Sequence, residues 1–332
     1  MRAPEFWHEH AEGRARAPML RALLTPISWA YAAAAAQRQR TTIVRHAPAP
    51  VVCIGNLTVG GAGKTPIARF VREKLGAGAH LLSRGYGGRA VGPLRVTNDM
   101  DAREVGDEPL LHAKDGPAWV ARDRVAGALA ACNAGARAIV MDDGFQNPSL
   151  AKDLSLVVVD PGFGVGNGAV FPAGPLRERL KDGLARADAI IMAHPWSPQG
   201  VSLAEPHEWL ADFAKPILHA VIEPEGAAPA GKVVAFAGLA RPEKFFDTLT
   251  ALGVAVEEAA PYPDHHVFTA DDLDFLAQLA DEHDAKLITT EKDAARLTPE
   301  WRARVTVLPV RARFADEPTL DALLEPIRSR MS

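Results

Sequence analysis

A chain of 332 residues is long enough for two domains of ordinary size. Its 48% hydrophobic and 23% charged residues are typical of a globular protein, and its formal net charge of −4 argues against a general nucleic-acid binder. The two cysteines, Cys53 and Cys132, lack the spacing of a metal site, and we expect both to be reduced, packed thiols.

The first predicted element is a basic amphipathic helix within residues 1–40. From residue 13 to residue 46 the chain has six arginines and no acidic residue, and apolar side chains share one helical face at Leu20, Leu23, Leu24, Ile27 and Tyr31. This pattern favours a helix lying in a membrane interface with anionic lipid. A core-packing helix and a signal peptide are the alternatives. The apolar stretch 22–36 contains Pro26 and is shorter than the about 20 residues of a transmembrane span.

The next element carries the most informative motif. A predicted strand at residues 51–54 is followed by a glycine-rich loop that ends in Gly63-Lys64-Thr65, and then by a predicted helix at residues 66–75. This order predicts a phosphate-binding loop, in which Lys64 contacts the β- and γ-phosphates and the Thr65 hydroxyl binds Mg²⁺. A guanine-recognition motif is missing, which favours ATP. The expected nucleotide-binding residues are Thr58, Val59, Gly60, Gly61, Ala62, Gly63, Lys64 and Thr65.

Predicted strands and helices alternate through the rest of the chain. Apolar runs at residues 80–82, 138–141, 154–159 and 189–192 predict a doubly wound parallel sheet of the α/β class. Residues 224–231 are rich in Pro, Gly and Ala and predict a linker, after which a second alternating set begins. We therefore predict a phosphate-loop domain over residues 41–223 and a smaller α/β domain over residues 232–332.

Two acidic residues, Asp142 and Asp143, follow the predicted strand at residues 138–141. In phosphate-loop enzymes one such carboxylate holds the Mg²⁺ shell, and the second is then available for a bound water or the substrate. An Asp-Asp-Gly sequence on its own is more typical of a turn that closes a strand. The neighbouring phosphate loop shifts the balance toward a metal site.

Other candidate residues have two interpretations. Asp107 either caps the helix that follows it or acts as a base near the transferred phosphate, and the sequence by itself favours the cap. His265 lies in a loop of the second predicted domain and is a surface residue unless cleft closure brings it to a carboxylate. Arg177 is a candidate phosphate ligand and Glu178 a candidate for the metal shell, with an ordinary helix start as the alternative.

Taken together and in this order, the motifs resemble one family, the tetraacyldisaccharide 4′-kinases, which are the lipid A 4′-kinases. The Asp142-Asp143-Gly144-Phe145-Gln146 run looks specific to that family, which also has Thr rather than Gly at the position of Thr58. Ala62, Asn147 and the segment before Pro172 depart from the usual pattern. The matching segments are residues 55–66, 83–87, 105–109, 142–146, 172–178, 264–265 and 290–293.

The resemblance implies ATP-dependent phosphorylation of the 4′-hydroxyl of lipid A disaccharide 1-phosphate, which gives lipid IVA. It implies Mg²⁺, two α/β domains and peripheral attachment to the cytoplasmic face of the bacterial inner membrane. We predict no protein partner and no nucleic acid. The alternatives are a phosphate-loop ATPase that acts as a switch and a soluble kinase for a small metabolite.

The resemblance also implies roles for individual residues. The family's catalytic acid–His dyad carries over to Asp107 and His265, with Lys64 as the phosphate-binding lysine of the catalytic site. The expected magnesium residues are Thr65, Asp142 and Glu178. Substrate contacts are expected from Arg84, Tyr86, Asp143, Gln146 and Arg177.

Overall fold

The protein is represented by a computed structural model that describes residues 4–7, 18–201 and 207–331. The strands of this part of the chain are β1 (Val51–Gly55), β2 (Ala79–Ser83), β3 (Leu94–Val96), β4 (Ala118–Val120), β5 (Ala138–Asp142), β6 (Leu154–Val159), β7 (Ala189–Pro195), β8 (Ile217–Pro224), β9 (Lys232–Ala237), β10 (Ala255–Pro261), β11 (Lys286–Thr290), β12 (Thr306–Leu308) and β13 (Val310–Phe314). Its α-helices are α1 (Pro18–Thr41), α2 (Lys64–Leu75), α3 (Ala102–Val105), α4 (Asp107–Asp115), α5 (Arg124–Asn133), α6 (Leu180–Arg186), α7 (Glu243–Ala251), α8 (Ala270–Glu282), α9 (Glu291–Ala294), α10 (Pro299–Arg304) and α11 (Glu317–Arg328).

The described strands form two sheets. The large sheet has the order β13-β8-β7-β6-β1-β5-β2-β4-β3, and the small sheet has the order β10-β9-β11-β12. All pairings are parallel except those of β13 with β8 and β3 with β4, at the two edges of the large sheet. The predicted doubly wound parallel α/β fold is therefore confirmed, with antiparallel strands added at both edges.

Helices cover both faces of the large sheet, which explains why its central strands are apolar throughout. All residues of β1, β5 and β6 are buried. Val52 and Ile54 pack into one core with α2, whereas Val51 and Cys53 pack into the core on the opposite face. The loops after β1, β5 and β6 thus lie together at the carboxyl ends of these parallel strands, where sheets of this class bind ligands.

The chain returns to the large sheet after the small one. β13 pairs with β8, and α11 packs against α2 and β6. The predicted smaller domain over residues 232–332 is therefore too long at its C-terminal end, because its last strand and helix belong to the large sheet. Residues 225–231 connect β8 to β9, within the predicted linker.

Helix α1 leaves most of its apolar side chains exposed. Leu20, Leu23, Ile27 and Tyr31 are 44%, 68%, 56% and 42% exposed, so most of the predicted apolar stripe does not pack into a core. The helix attaches to the body of the protein through Ser28, whose Oγ accepts a hydrogen bond from the Ala173 backbone at 2.9 Å. Arg14 and Arg16 of the predicted basic segment lie outside the described residues. No described helix is both long and apolar enough to cross a bilayer.

Candidate active site

The predicted phosphate loop connects β1 to the first turn of α2. Lys64 and Thr65 begin α2, and Gly63 at its N-terminus has a φ of 80°, which favours glycine. Asn56 is fully buried and its side-chain amide donates hydrogen bonds to the carbonyls of Thr58 (2.8 Å) and Gly60 (3.2 Å). This internal support lets the loop hold its curve without glycine at position 58.

The loop forms one wall of a cavity of about 270 Å³ between the two sheets. Gly61, Ala62, Gly63, Lys64 and Thr65 line it from the large sheet, and residues near α7 and α9 line it from the small one. Two cationic residues on the small-sheet side of the cavity, Arg241 and Lys244, form ion pairs with Asp160, which directly follows β6. Contacts between the two halves of the molecule thus border the cavity.

Asp142 and Asp143 have different partners, although they are adjacent. Asp142 ends β5 directly beside β1, and its Oδ2 lies 2.9 Å from His112 Nε2. Asp143 Oδ1 lies 3.5 Å from Lys64 Nζ and 2.8 Å from Arg177 Nη1. Burial alone would raise the pKa of the Asp143 carboxyl, but the charges of Lys64 and Arg177 hold it well below its ordinary value.

The residues present fit a magnesium ion held largely by phosphates. The buried Oδ1 of Asp142 has no hydrogen-bond partner among the described residues, and Asp142 belongs to the strand next to the phosphate loop. No group of three or more His, Cys, Asp or Glu side chains in the described ranges is arranged to hold a metal by itself. Mg²⁺ commonly uses one or two protein ligands together with phosphate oxygens and waters, so Thr65 and Asp142 are a sufficient pair.

Glu178 has other partners than the predicted metal shell. Its carboxylate lies 2.7 Å from Arg186 Nη2 and accepts a hydrogen bond from Gln146 Nε2 at 3.1 Å. Gln146 also donates to the Asn56 carbonyl at 2.9 Å and accepts from Arg177 at 3.3 Å. These contacts make Gln146, Arg177 and Glu178 a support for the phosphate loop, and they leave Glu178 charge-paired without a metal.

The most informative contact joins the two predicted domains. Asp107, at the start of α4, and His265, in the loop after β10, meet with 3.0 Å between Oδ2 and Nδ1. The preceding Gly106 has a φ of 93°, and a Cβ there would lie 2.6 Å from the Tyr86 carbonyl oxygen, so glycine allows α4 to approach the 84–88 loop. Tyr86 in turn places its ring 4.9 Å from the His265 ring.

Asp107 is held as an anion. Burial alone would raise the pKa of its carboxyl, but the His265 hydrogen bond and the charges of Lys292 and Arg296 outweigh it and lower the pKa to about 2. Its second oxygen accepts a hydrogen bond from the Glu108 backbone at 2.8 Å. The expected helix cap is wrong, because Gly106 occupies the N-cap position of α4, Asp107 is the first residue of the helix, and no side chain caps it.

The remaining predicted substrate residue, Arg84, lies exposed on the same loop as Tyr86. Its positive charge acts on the buried Arg124: burial and, to a smaller extent, the charge of Arg84 lower the pKa of the Arg124 guanidinium to about 10. The structure thus gathers the predicted site residues at one edge of the large sheet, around the phosphate loop.

Four residues of the site had no predicted role. Asn56 shapes the phosphate loop, His112 contacts Asp142, and Lys292 and Arg296 surround the dyad from the small sheet. Asn56 and Lys292 lie inside segments that carry the family resemblance, which was the available signal. His112 and Arg296 are revealed only by tertiary contacts.

Comparisons with known proteins point to one family over nearly the whole chain. The family model described as tetraacyldisaccharide-1-P 4′-kinase matches residues 20–328. The tetraacyldisaccharide 4′-kinase of Phenylobacterium zucineum is 51% identical over 329 residues, with 97% of this chain and 98% of that protein covered. The protein of the same name from Maricaulis maris is 51% identical over 337 residues, with 98% and 96% covered.

A solved structure gives the same relationship. The crystal structure of an "apo" form LpxK from Aquifex aeolicus in complex with ATP is 28% identical, with a TM-score of 0.74, and covers 93% of this chain and 99% of that chain. Family model, sequence identity and fold thus agree, and they show that the chain belongs to the tetraacyldisaccharide-1-P 4′-kinase family.

Proposed function

We propose that this chain transfers the γ-phosphate of ATP to the 4′-hydroxyl of lipid A disaccharide 1-phosphate and so produces lipid IVA. The observation that carries the proposal is the 3.0 Å contact between Asp107 and His265, because it supplies a base beside the cavity that the phosphate loop lines. The names of the relatives support the choice of acceptor, and the solved relative with ATP supports the choice of donor.

In the proposed reaction, Lys64 and the loop amides bind the phosphates of ATP. Thr65 and Asp142 are the proposed magnesium residues, and the ion, when bound, neutralises phosphate charge. Glu178 is left out of this set because Arg186 already pairs with it. Asp107 accepts the Nδ1–H of His265, which leaves Nε2 to take the proton of the attacking hydroxyl.

The exposed face of α1 supports a membrane-bound acceptor. Leu23, Ile27 and Trp29 of this helix are more than half exposed, and an acylated sugar cannot leave the bilayer without exposing its acyl chains to water. We therefore propose peripheral attachment through α1 to the cytoplasmic face of the inner membrane, where ATP is available.

The decisive experiment supplies the purified protein with labelled ATP and the disaccharide 1-phosphate in detergent micelles. We expect a lipid bisphosphate, and we expect His265→Ala to reduce its rate by about 100-fold or more while ATP still binds. The matched control is His283→Ala, a histidine on the surface of the small sheet. Release of inorganic phosphate without any acceptor would instead indicate an ATPase switch, and transfer only to a water-soluble acceptor would indicate a metabolite kinase.

A further inference from the structure

We propose that Lys292 is a further catalytic residue, whose ammonium covers the proton-accepting nitrogen of His265 and then stabilises the transferring phosphoryl group. The proposal rests on the proposed phosphoryl transfer and adds a residue to it. Lys292 lies in α9, the short helix that follows β11 of the small sheet, and it lines the same cavity as Gly63, Lys64 and Thr65.

The contacts of Lys292 place its charge at the base. Nζ lies 3.4 Å from His265 Nε2, 3.1 Å from Glu108 Oε1 and 3.9 Å from Asp264 Oδ1. Burial alone would lower the pKa of this ammonium, but the charges of Glu108, Asp107 and Asp264 raise it above its ordinary value. Lys292 therefore remains protonated at neutral pH.

This contact fixes which nitrogen of His265 carries the proton. An ammonium can only donate a hydrogen bond, and Lys292 Nζ lies closer to Nε2 (3.4 Å) than the Asp264 carboxylate does (3.8 Å), so we assign Nε2 as the unprotonated acceptor. Nδ1 then carries the proton and donates it to Asp107, which is an anion that only accepts. Lys292 and Asp107 thus hold the imidazole from its two sides in the tautomer that a general base requires.

The same position brings Lys292 to the reacting phosphate. A hydroxyl that gives its proton to Nε2 must lie about 3 Å from that atom, and the phosphorus that it attacks lies about 3–3.5 Å further on. An amine 3.4 Å from Nε2, on a flexible four-carbon chain, can reach an oxygen of that phosphoryl group. The ammonium must move away from Nε2 to make this contact. Nε2 is then free to accept the proton of the hydroxyl when the phosphoryl group is in position.

The step balances without any further reactant. The acceptor O–H bond breaks and its proton moves to His265 Nε2, while the new O–P bond forms at the γ-phosphorus. The bond from that phosphorus to the bridging oxygen breaks, and its electron pair stays on the departing ADP. Lys292 keeps its three protons throughout and contributes charge, which counts most where negative charge is concentrated in the transition state.

A purely structural role is the competing explanation, because the Lys292–Glu108 ion pair also joins the two halves of the protein. The test compares Lys292→Met and Lys292→Gln with Lys292→Arg. The matched control is Lys74→Met, which removes an ammonium paired with Glu317 and Asp321 on a remote face. Thermal unfolding of each variant identifies any loss of folding, and Gln serves in place of Met if the apolar side chain is not tolerated.

We expect Met and Gln to lower kcat by about 100-fold or more, with KM for ATP changed by less than about threefold. Arg should retain more activity than either, and Lys74→Met should stay within about twofold of the parent. The second readout needs no acceptor: affinity for ADP with magnesium and aluminium fluoride should fall by about tenfold or more in the Met variant, while affinity for ADP alone is nearly unchanged.

Equal weakening of ADP and ADP–aluminium fluoride would overturn the proposal, as would a fall in kcat that Arg and Met share with a loss of thermal stability. A parent protein that transfers no phosphate to the disaccharide would refute the proposed acceptor. The aluminium fluoride comparison would still decide the role of Lys292 in that case, so the two failures are distinguishable.

Discussion

At the scale of single residues, the structure gives two neighbouring carboxylates different partners. Asp142 lies in the sheet with one oxygen on His112 and the other without a partner among the described residues, whereas Asp143 lies between Lys64 and Arg177. The backbone explains the difference, because Asp143 has a φ of 51° and its side chain leaves the line of the strand. The Asp-Asp-Gly sequence indicated a turn at this position, but it does not show which partners the two side chains meet.

We predict from this difference that Asp142→Asn and Asp143→Asn respond differently to magnesium. Asp142→Asn should raise the Mg²⁺ concentration for half-maximal activity by about tenfold or more, because it removes a proposed ligand charge. Asp143→Asn should leave that concentration nearly unchanged and weaken ATP binding, because it loosens Lys64 and Arg177. Magnesium titrations of the two variants at fixed ATP provide the measurement, and the reverse pattern would exchange the two roles.

A second prediction concerns acid stability. The Asp107 pKa of about 2 lies below its ordinary 3.8, so the folded state favours the anion and this contribution is lost as the pH falls. It amounts to about 2 kcal/mol above pH 5, with roughly half of it gone by pH 3. Urea unfolding of the parent and of Asp107→Asn should show their difference in unfolding free energy narrowing over that range. A difference independent of pH would contradict the assignment.

At the scale of secondary-structure elements, local signals predicted most of the fold. The β1–loop–α2 unit and the apolar strands β5, β6 and β7 have short-range signatures, and each lies within a few residues of its predicted position. The pairing of β13 with the large sheet was not predicted, because it depends on a long-range contact and not on a short-range signature. Its partner β8 precedes it by about 90 residues, and strand pairing over such a distance leaves no local pattern.

Helix α1 gives the prediction that belongs to this scale. Replacing Leu23 and Ile27 with Gln should reduce binding to anionic lipid vesicles by about tenfold or more, since each apolar side chain contributes about 1.5–3 kcal/mol when buried in lipid. Stability should hardly change, because both side chains are exposed. The control replaces Val91 and Leu129, exposed apolar residues of the main body, and vesicle co-sedimentation measures all variants. Equal loss in the control pair would contradict a specific role of α1.

At the scale of the whole molecule, the two sheets are joined by ion pairs around the cavity. Asp160 at the end of β6 holds Arg241 and Lys244, and Lys292 reaches Glu108 on the other side of the phosphate loop. None of these pairs could be predicted, because each joins residues more than 80 positions apart. Sequence could identify candidate residues in both halves, but the pairing requires the folded arrangement.

The last prediction tests this junction. Asp160→Asn should open the nucleotide-free cleft, because it removes the charge of the buried carboxylate that Arg241 and Lys244 share. Amide hydrogen exchange at residues 61–64 and 240–244 should then become about tenfold faster or more. Asp188→Asn is the matched control, because it removes the charge of an exposed ion pair with Lys215, while its amide oxygen can still accept the hydrogen bond from the Ser155 backbone. Unchanged exchange in the Asp160 variant would mean that the remaining contacts hold the cleft by themselves.

Because the dyad is divided between the two halves of the molecule, the arrangement of these halves determines whether bound ATP meets the complete dyad. Asp107 comes with the phosphate loop, whereas His265 comes with the opposite half, so neither half alone contains an oriented base. ATP bound to the phosphate-loop half alone would therefore lack His265, the proposed proton acceptor. We expect phosphoryl transfer to need the closed arrangement of the two halves, so that bound ATP is spent only when the dyad is complete.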